Sequence, residues 1–510
     1  MLKIETMTKE QLNILLLQIC AMVLESDPDE LSPDEEVTAW GLDSVATAMI
    51  HDLIQTRVIR EGFEFSYNDF ISYTTIDELS EALVQNRMLR TGNPALDMVD
   101  IPVGNDQPQC RSCSAPMKTK ALEKTVSEEN RFRFQELGFS TPGHNTNYNG
   151  KPIISFASND YLSLATDPGV QDSAAKAVRE YGTGCGSSML GSGSLSIHAA
   201  LAEELADFLG KESVLLMPAG YMAMLGFCSA RIISGHTVFS DALNHRSIID
   251  GLRLGKGASE RKNAFHFFNH NSLTSLKQIR SVVCGQTNSQ FSDVVLLEGV
   301  YSMDGDRGDL DAFVPYCKDQ DIQVAIDDAH GIGVLGKHGR GTADEYQKTG
   351  DVDYILGTFS KSFAASGGFI AASEDAIDEL RQQCSQYMFS ASLMPSAVET
   401  VRYILRLLQQ DDHLQLKLWD NVNYFKSCLS ELKINTMNSN SAISPVLVNS
   451  EEKALDCARY LLEHKDLFVL PVIYPVVPKG KARLRISVNA GHSRSGINLL
   501  AESLAEILQS

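Results

Sequence analysis

The chain has 510 residues, 43% of them hydrophobic, and a formal net charge of −21. That length predicts two or three domains, and the acidic balance argues against nucleic acid or an anionic membrane as a partner. No run of eighteen apolar residues occurs, so no membrane span is expected. Met1-Leu2-Lys3-Ile4-Glu5 lacks the pattern of a secretion signal. Ten scattered cysteines suit a reducing cytoplasm. Cys110 and Cys113 form the one close pair and, with no second pair, read as linker residues, so no metal site is expected.

Residues 1–90 carry 17 Asp and Glu against 6 Lys and Arg, about half of the net charge in under a fifth of the chain. Such asymmetry marks a separate acidic module. Leu12 to Leu24 is an apolar helical stretch, broken by Asp27-Pro28-Asp29 and Ser32-Pro33-Asp34. Trp40-Gly41-Leu42-Asp43-Ser44-Val45 precedes a second helical pattern through Met49, Leu53, Ile54 and Val58, with Ser44 at the N-cap position. Thr75-Ile76-Asp77-Glu78 has the form of a capping box opening a last helix. The reading is a small helical bundle over 1–90. Residues 91–118, with Pro102, Pro108 and Pro116 and no period, read as a flexible linker.

From 119 onward the pattern alternates strand and helix. Predicted strands are Ser213–Met217, Thr237–Ser240, Val294–Leu297, Val324–Ile326, Tyr354–Leu356 and Phe369–Ala372. This predicts an α/β fold with a mostly parallel sheet over 119–393, and a smaller α+β domain over 394–510. Thr358-Phe359-Ser360-Lys361 ends one apolar run, and a lysine at a strand end can form a Schiff base with a carbonyl cofactor such as pyridoxal phosphate. Alone, Lys361 reads more readily as a solvated surface residue. The run Val324-Ala325-Ile326-Asp327-Asp328-Ala329-His330-Gly331 would deliver Asp327 and His330 to the same crevice.

The Gly-Leu-Asp-Ser context of Ser44, inside a short acidic bundle, resembles an acyl or peptidyl carrier protein domain. The resemblance implies a 4′-phosphopantetheine arm on Ser44, attached by a phosphopantetheinyl transferase and charged by a separate acyl-loading enzyme. Val45 departs from the Leu or Met of many carriers.

Five motifs stand in order further on: Phe156-Ala157-Ser158-Asn159-Asp160-Tyr161-Leu162, Gly299-Val300-Tyr301-Ser302-Met303-Asp304-Gly305-Asp306, Asp327-Asp328-Ala329-His330-Gly331, Thr358-Phe359-Ser360-Lys361, and Tyr474 to Arg485. Together they resemble the α-oxoamine synthases, such as 8-amino-7-oxononanoate synthase, 2-amino-3-ketobutyrate CoA ligase and serine palmitoyltransferase. The resemblance implies the type I fold of the pyridoxal phosphate enzymes, in a homodimer with active sites at the subunit interface. It implies that Lys361 is the Schiff-base lysine, Asp327 the partner of the pyridine nitrogen, His330 and Ser302 contacts of the phenolic oxygen, and His245 the histidine stacked on the ring. Gly220, Tyr221, Thr358 and a partner subunit's counterpart of Ser390 would hold the phosphate. Arg485 would grip the amino acid's carboxylate with Asn159 nearby, although Arg483 stands two residues away; His198 would lie near the acyl site. Ser188-Met189 and Met224 depart from the Arg and Asn of some members, which puts the acyl-donor contacts in doubt.

The expected reaction is a decarboxylative Claisen condensation of a small amino acid with an acyl thioester, giving an α-aminoketone in a biosynthetic pathway of secondary-metabolite type. The fused carrier makes the donor an acyl group on Ser44. Rival readings are a synthase using acyl-CoA with the carrier serving another step, an aminotransferase, or a non-catalytic carrier scaffold.

Overall fold

The computed structural model describes residues 8–24, 31–34, 50–51, 53–55, 58–59, 75–85 and 139–509, apart from 260, 262–263, 285–292 and 475. They fall into two compact units, one within the first 137 residues and one built chiefly from Gly138 to Ser510. Ser44, Cys110, Cys113 and the expected linker over 91–118 lie outside the described residues.

In the first unit, α1 (Lys9–Leu24) packs on α2 (Ile76–Gln85). Leu12, Leu16, Ile19 and Cys20 of α1 and Ile76, Leu79 and Leu83 of α2 are buried, as are Ile50, Ile54 and Val58. Burying each such side chain stabilises by about 1.5–3 kcal/mol. Lys9 Nζ reaches Asp77 Oδ2 at 2.7 Å and Glu81 Oε2 at 2.9 Å, and Asn13 Nδ2 donates to Asp77 Oδ1 at 2.9 Å. Thr75 Oγ1 accepts the Glu78 main-chain N–H at 3.1 Å, satisfying an N–H that the helix start leaves without a partner.

The second unit opens with an antiparallel pair, β1 (Asn145–Tyr148) and β2 (Lys151–Ser155). Its main sheet has seven strands: β3 (Ser213–Met217), β4 (Val238–Asp241), β5 (Phe265–Phe268), β6 (Val294–Glu298), β7 (Gln323–Asp327), β8 (Tyr354–Thr358) and β9 (Gly368–Ala372), in the order β3-β9-β8-β7-β6-β4-β5. The ladders from β8 through β5 are parallel, and β9 runs antiparallel to both β8 and β3. These strands are almost wholly buried and read as continuous Val, Ile and Leu runs, as a sheet covered on both faces requires. The edge strand β5, Phe-His-Phe-Phe, was not among the expected strands; four residues are too few for a period to show.

Helix α3 (Gly220–Ile233) follows β3 and packs closely on α4 (Arg246–Ala258). Gly251 permits that approach: a Cβ there would stand 2.8 Å from both Cys228 Cβ and Leu225 O. A second sheet, β10 (Ile443–Leu447), β13 (Arg483–Ser487) and β12 (Leu470–Val472), is antiparallel. The short strand β11 (Leu467–Phe468) pairs in parallel with β2, which ties residues 151–155 to the C-terminal part of the chain. The parallel strands end at one edge, which thereby receives Met217, Asp241, Glu298, Asp327 and Thr358. Among the described residues, no helix is long and apolar enough to cross a membrane, and no cluster of three His, Cys, Asp or Glu could hold a metal.

Candidate active site

A cavity of about 450 Å³ opens at that edge. Of the expected residues, Gly220, Tyr221, His245, Asp327, His330, Thr358 and Lys361 line it. They come from four strand ends and the loops that follow them.

Lys361 lies three residues past β8. Burial lowers its ammonium to about 8, against the pull of Asp327, which leaves an amine able to work near neutral pH. Asp327 ends β7, with Oδ1 accepting the Ala329 N–H at 3.1 Å. Burial pushes its carboxyl up, and Lys361 and His245 pull it back. The next residue does different work: Asp328 accepts the Thr342 N–H at 2.7 Å and the Thr342 hydroxyl at 2.5 Å, tying the loop after β7 to its return. Burial holds the His330 imidazole well below its usual range, so the ring is neutral.

His245 N-caps α4, its Nδ1 accepting the Ser247 hydroxyl at 2.7 Å and the Ser247 N–H at 3.3 Å. This leaves the proton on Nε2 and stands the ring open to the cavity. Tyr221 approaches that ring edge-on, with centroids 6.3 Å apart.

The N-terminus of α3 faces the same space. Its N-cap, Ala219, offers no side-chain bond, so the first N–H groups of a 14-residue helix are presented to the cavity. A Cβ on Gly220 would meet Thr358 Cβ at 2.6 Å, so only glycine lets the helix start sit against that threonine. Bare N–H groups with a hydroxyl beside them form a cradle for a phosphate. An amine, a buried carboxylate, an open histidine face and this cradle are the donor set that pyridoxal phosphate needs.

The remaining expected residues lie off the cavity lining. Arg485 is 3% exposed. It donates to Ser302 O at 2.6 Å, Asn159 Oδ1 at 3.1 Å and Ser487 Oγ at 3.0 Å, and no carboxylate pairs with it among the described residues. Arg483, by contrast, is neutralised by Asp304 at 2.6 Å. Ser302 thus meets Arg485 through its carbonyl. Ser390 Oγ touches Met222 Sδ at 3.8 Å, beside the first turn of α3. His198 does not reach the cavity: it is buried, Nδ1 accepts the Leu195 N–H at 3.1 Å and Nε2 donates to Leu393 O at 2.9 Å, so the ring serves the start of the helix Ser196–Leu209.

Three participants were not anticipated. Tyr161 Oη lies 2.8 Å from His330 Nδ1, and Glu298 lines the cavity beside Asp327. His270 bridges Asp241 Oδ1 at 3.0 Å and Asp306 Oδ2 at 2.8 Å, clamping the loop that carries His245 to the loop that carries Ser302. Burial works against its charge, but the two aspartates push the imidazole up to about 10. Tyr161 and Asp306 sit inside quoted motifs; nothing in the spacing marks Glu298 or His270.

A family model described as Aminotransferase class I and II matches residues 151–504, and one described as Phosphopantetheine attachment site matches residues 15–83. A serine palmitoyltransferase from Bacteriovorax stolpii is 38% identical over 75% of this chain and 90% of its own length. An 8-amino-7-oxononanoate synthase from Petrotoga mobilis is 35% identical over 72% of this chain and 91% of its own. The chain belongs to the α-oxoamine synthase family. Among solved structures, a variant of the serine palmitoyltransferase from S. paucimobilis with bound PLP–myriocin aldimine superposes with a TM-score of 0.69 at 29% identity, covering 76% of this chain and 95% of that one. The fold of this α-oxoamine synthase is accordingly the type I transferase fold, its cofactor is pyridoxal phosphate, and its N-terminal module is a phosphopantetheine-binding domain. It is a PLP-dependent acyltransferase.

Proposed function

We propose that the enzyme joins a small amino acid (glycine, alanine or serine) to an acyl group held as a thioester on its own phosphopantetheinylated Ser44. A C–C bond forms between the amino acid's Cα and the acyl carbon, the carrier thiol leaves, CO2 is lost and an α-aminoketone results. The observation that carries this reading is the buried Arg485 guanidinium, which has no acidic partner among the described residues and sits in one hydrogen-bonded network with Asn159, Tyr161 and His330. An uncompensated buried cation calls for an anion, and a carboxylate suits a guanidinium's paired donors.

Lys361, Asp327, His330, His245 and the cradle of Gly220, Tyr221 and Thr358 would hold pyridoxal phosphate, which when bound supplies a sink for the electrons left at Cα. Arg485 and Asn159 orient the carboxylate. With the cofactor bound, Lys361 would take the Cα proton, and its lowered basicity suits that transfer. Asp327 would keep the ring nitrogen of the bound cofactor protonated, and His330 and Ser302 would attend its phenolic oxygen. Ser390 acts across a homodimer interface, and the pathway served is biosynthetic, of secondary-metabolite type.

Lys361→Ala is expected to keep the fold and lose turnover; an undiminished rate would overturn the assignment. Titrating the visible spectrum of the purified protein with a panel of amino acids identifies the nucleophile. The donor is settled by supplying acyl-CoA to Ser44→Ala: full activity would favour an acyl-CoA enzyme whose carrier serves another step. Formation of a keto acid from the amino donor would favour an aminotransferase.

A further inference from the structure

Glu298 is the last residue of β6 and the ladder partner of Asp327, the last residue of β7. Neighbouring parallel strands lie about 4.8 Å apart, with partnered side chains on one face. Both side chains line the cavity and both are buried, at 3% and 5% exposure. The groups facing Glu298 are Asp327, Lys361, Asp241 and the His245 main-chain N–H. Asp327 accepts the Ala329 N–H, whereas Glu298 Oε1 is buried with no hydrogen-bond partner among the described residues. Such an atom is costly unless something fills the space before it.

Two ionised carboxylates cannot both keep their charge in a buried space that holds one ammonium. Burial and then Asp327 push the Glu298 carboxyl well above its usual range. Lys361 is the leading counterweight to burial at both carboxyls, but at Glu298 the push of Asp327 outweighs it, whereas Asp327 is pulled back by Lys361 and then His245.

We propose that Glu298 and Asp327 hold one proton between them and that it rests on Glu298. Glu298 is then a neutral hydrogen-bond donor aimed into the cavity, and Asp327 is its single anion. This inference rests on the pyridoxal phosphate reading above. It adds a positioning residue on the cofactor side, chosen by strand register rather than by any motif.

The test compares pyridoxal phosphate affinity, read from the visible band of the full chain in equilibrium titration, across three variants. Glu298→Gln keeps a donor and is expected to weaken binding by about threefold, and Glu298→Ala, which has none, by about thirtyfold. Asp327→Asn removes the anion and is expected to cost about a hundredfold or more. If Glu298→Gln is as damaging as Asp327→Asn, Glu298 is an anion and the proposal is overturned. If no variant weakens binding, the reading of the cavity falls and the proposal with it. Should Glu298→Gln fail to fold, the infrared spectrum of the wild-type protein decides: a protonated-carboxyl stretch at neutral pH that persists in Asp328→Asn is expected, and its absence overturns the proposal.

Discussion

Tyr161 Oη stands 2.8 Å from His330 Nδ1, with both side chains buried, and 3.4 Å from Asn159 Oδ1. The contact at Nδ1 governs which ring nitrogen of His330 carries the proton. Tyr161→Phe therefore frees the choice of tautomer at His330 without emptying space. The expected result is a folded protein that binds pyridoxal phosphate, with kcat reduced about tenfold, KM for the amino acid little changed, and the pH profile of the visible band displaced. An unchanged pH profile would show that Tyr161 only fills volume.

The two arginines of β13 should separate cleanly. Arg485→Lys loses the planar fork that a carboxylate would meet, and a hundredfold fall in kcat/KM, about 2.7 kcal/mol, is expected. Arg483→Lys can still pair with Asp304 and should alter stability by no more than about 1 kcal/mol, with KM intact. Steady-state kinetics beside thermal unfolding reads both.

His270 provides a pH-dependent contribution to stability. Its imidazole is raised from 6.5 to about 10, so the protonated ring favours the folded state. The benefit is complete below about 6.5 and fades as the pH rises to about 10. His270→Gln should lower stability by on the order of 2 kcal/mol at pH 6 and by much less near pH 10, allowing for its partial solvation. Thermal unfolding of wild type and variant at the two values checks this; a gap independent of pH would show the ring to be neutral.

Gly220→Ala should push Thr358 away from the start of α3, since the added Cβ would meet Thr358 Cβ at 2.6 Å. Phosphate binding depends on those N–H groups and that hydroxyl keeping their places. A loss of at least about tenfold in pyridoxal phosphate affinity is expected, measured by absorbance titration; affinity like that of wild type would remove α3 from the phosphate site.

Much of this site is readable because its chemistry is local in sequence. Asp327 and His330 share one strand end and Lys361 follows the next, so alternating apolar runs bring them together. What could not be read depends on register and on distant partners. Glu298 looks like the end of any buried strand until β6 is aligned with β7. Arg483 and Arg485 point to the same face of β13, and only the position of Asp304 tells them apart. The ring of His198 answers the needs of a helix start, which only the fold reveals. The tie between β2 and the distant Leu467 and Phe468 is hidden for the same reason, because a two-residue ladder leaves no local trace.

That ladder sets a timetable for synthesis. Ile154 pairs with Leu467, so β2 leaves the ribosome about 310 residues before its partner exists. At about 5–20 residues per second the wait is roughly 15–60 s. In the course of it the nascent chain gains Asp327 and later Lys361 but still lacks Arg485, the last candidate site residue to be made. The N-terminal carrier can be complete long before its catalytic partner can close, so a modifying enzyme would meet the carrier well ahead of a finished synthase.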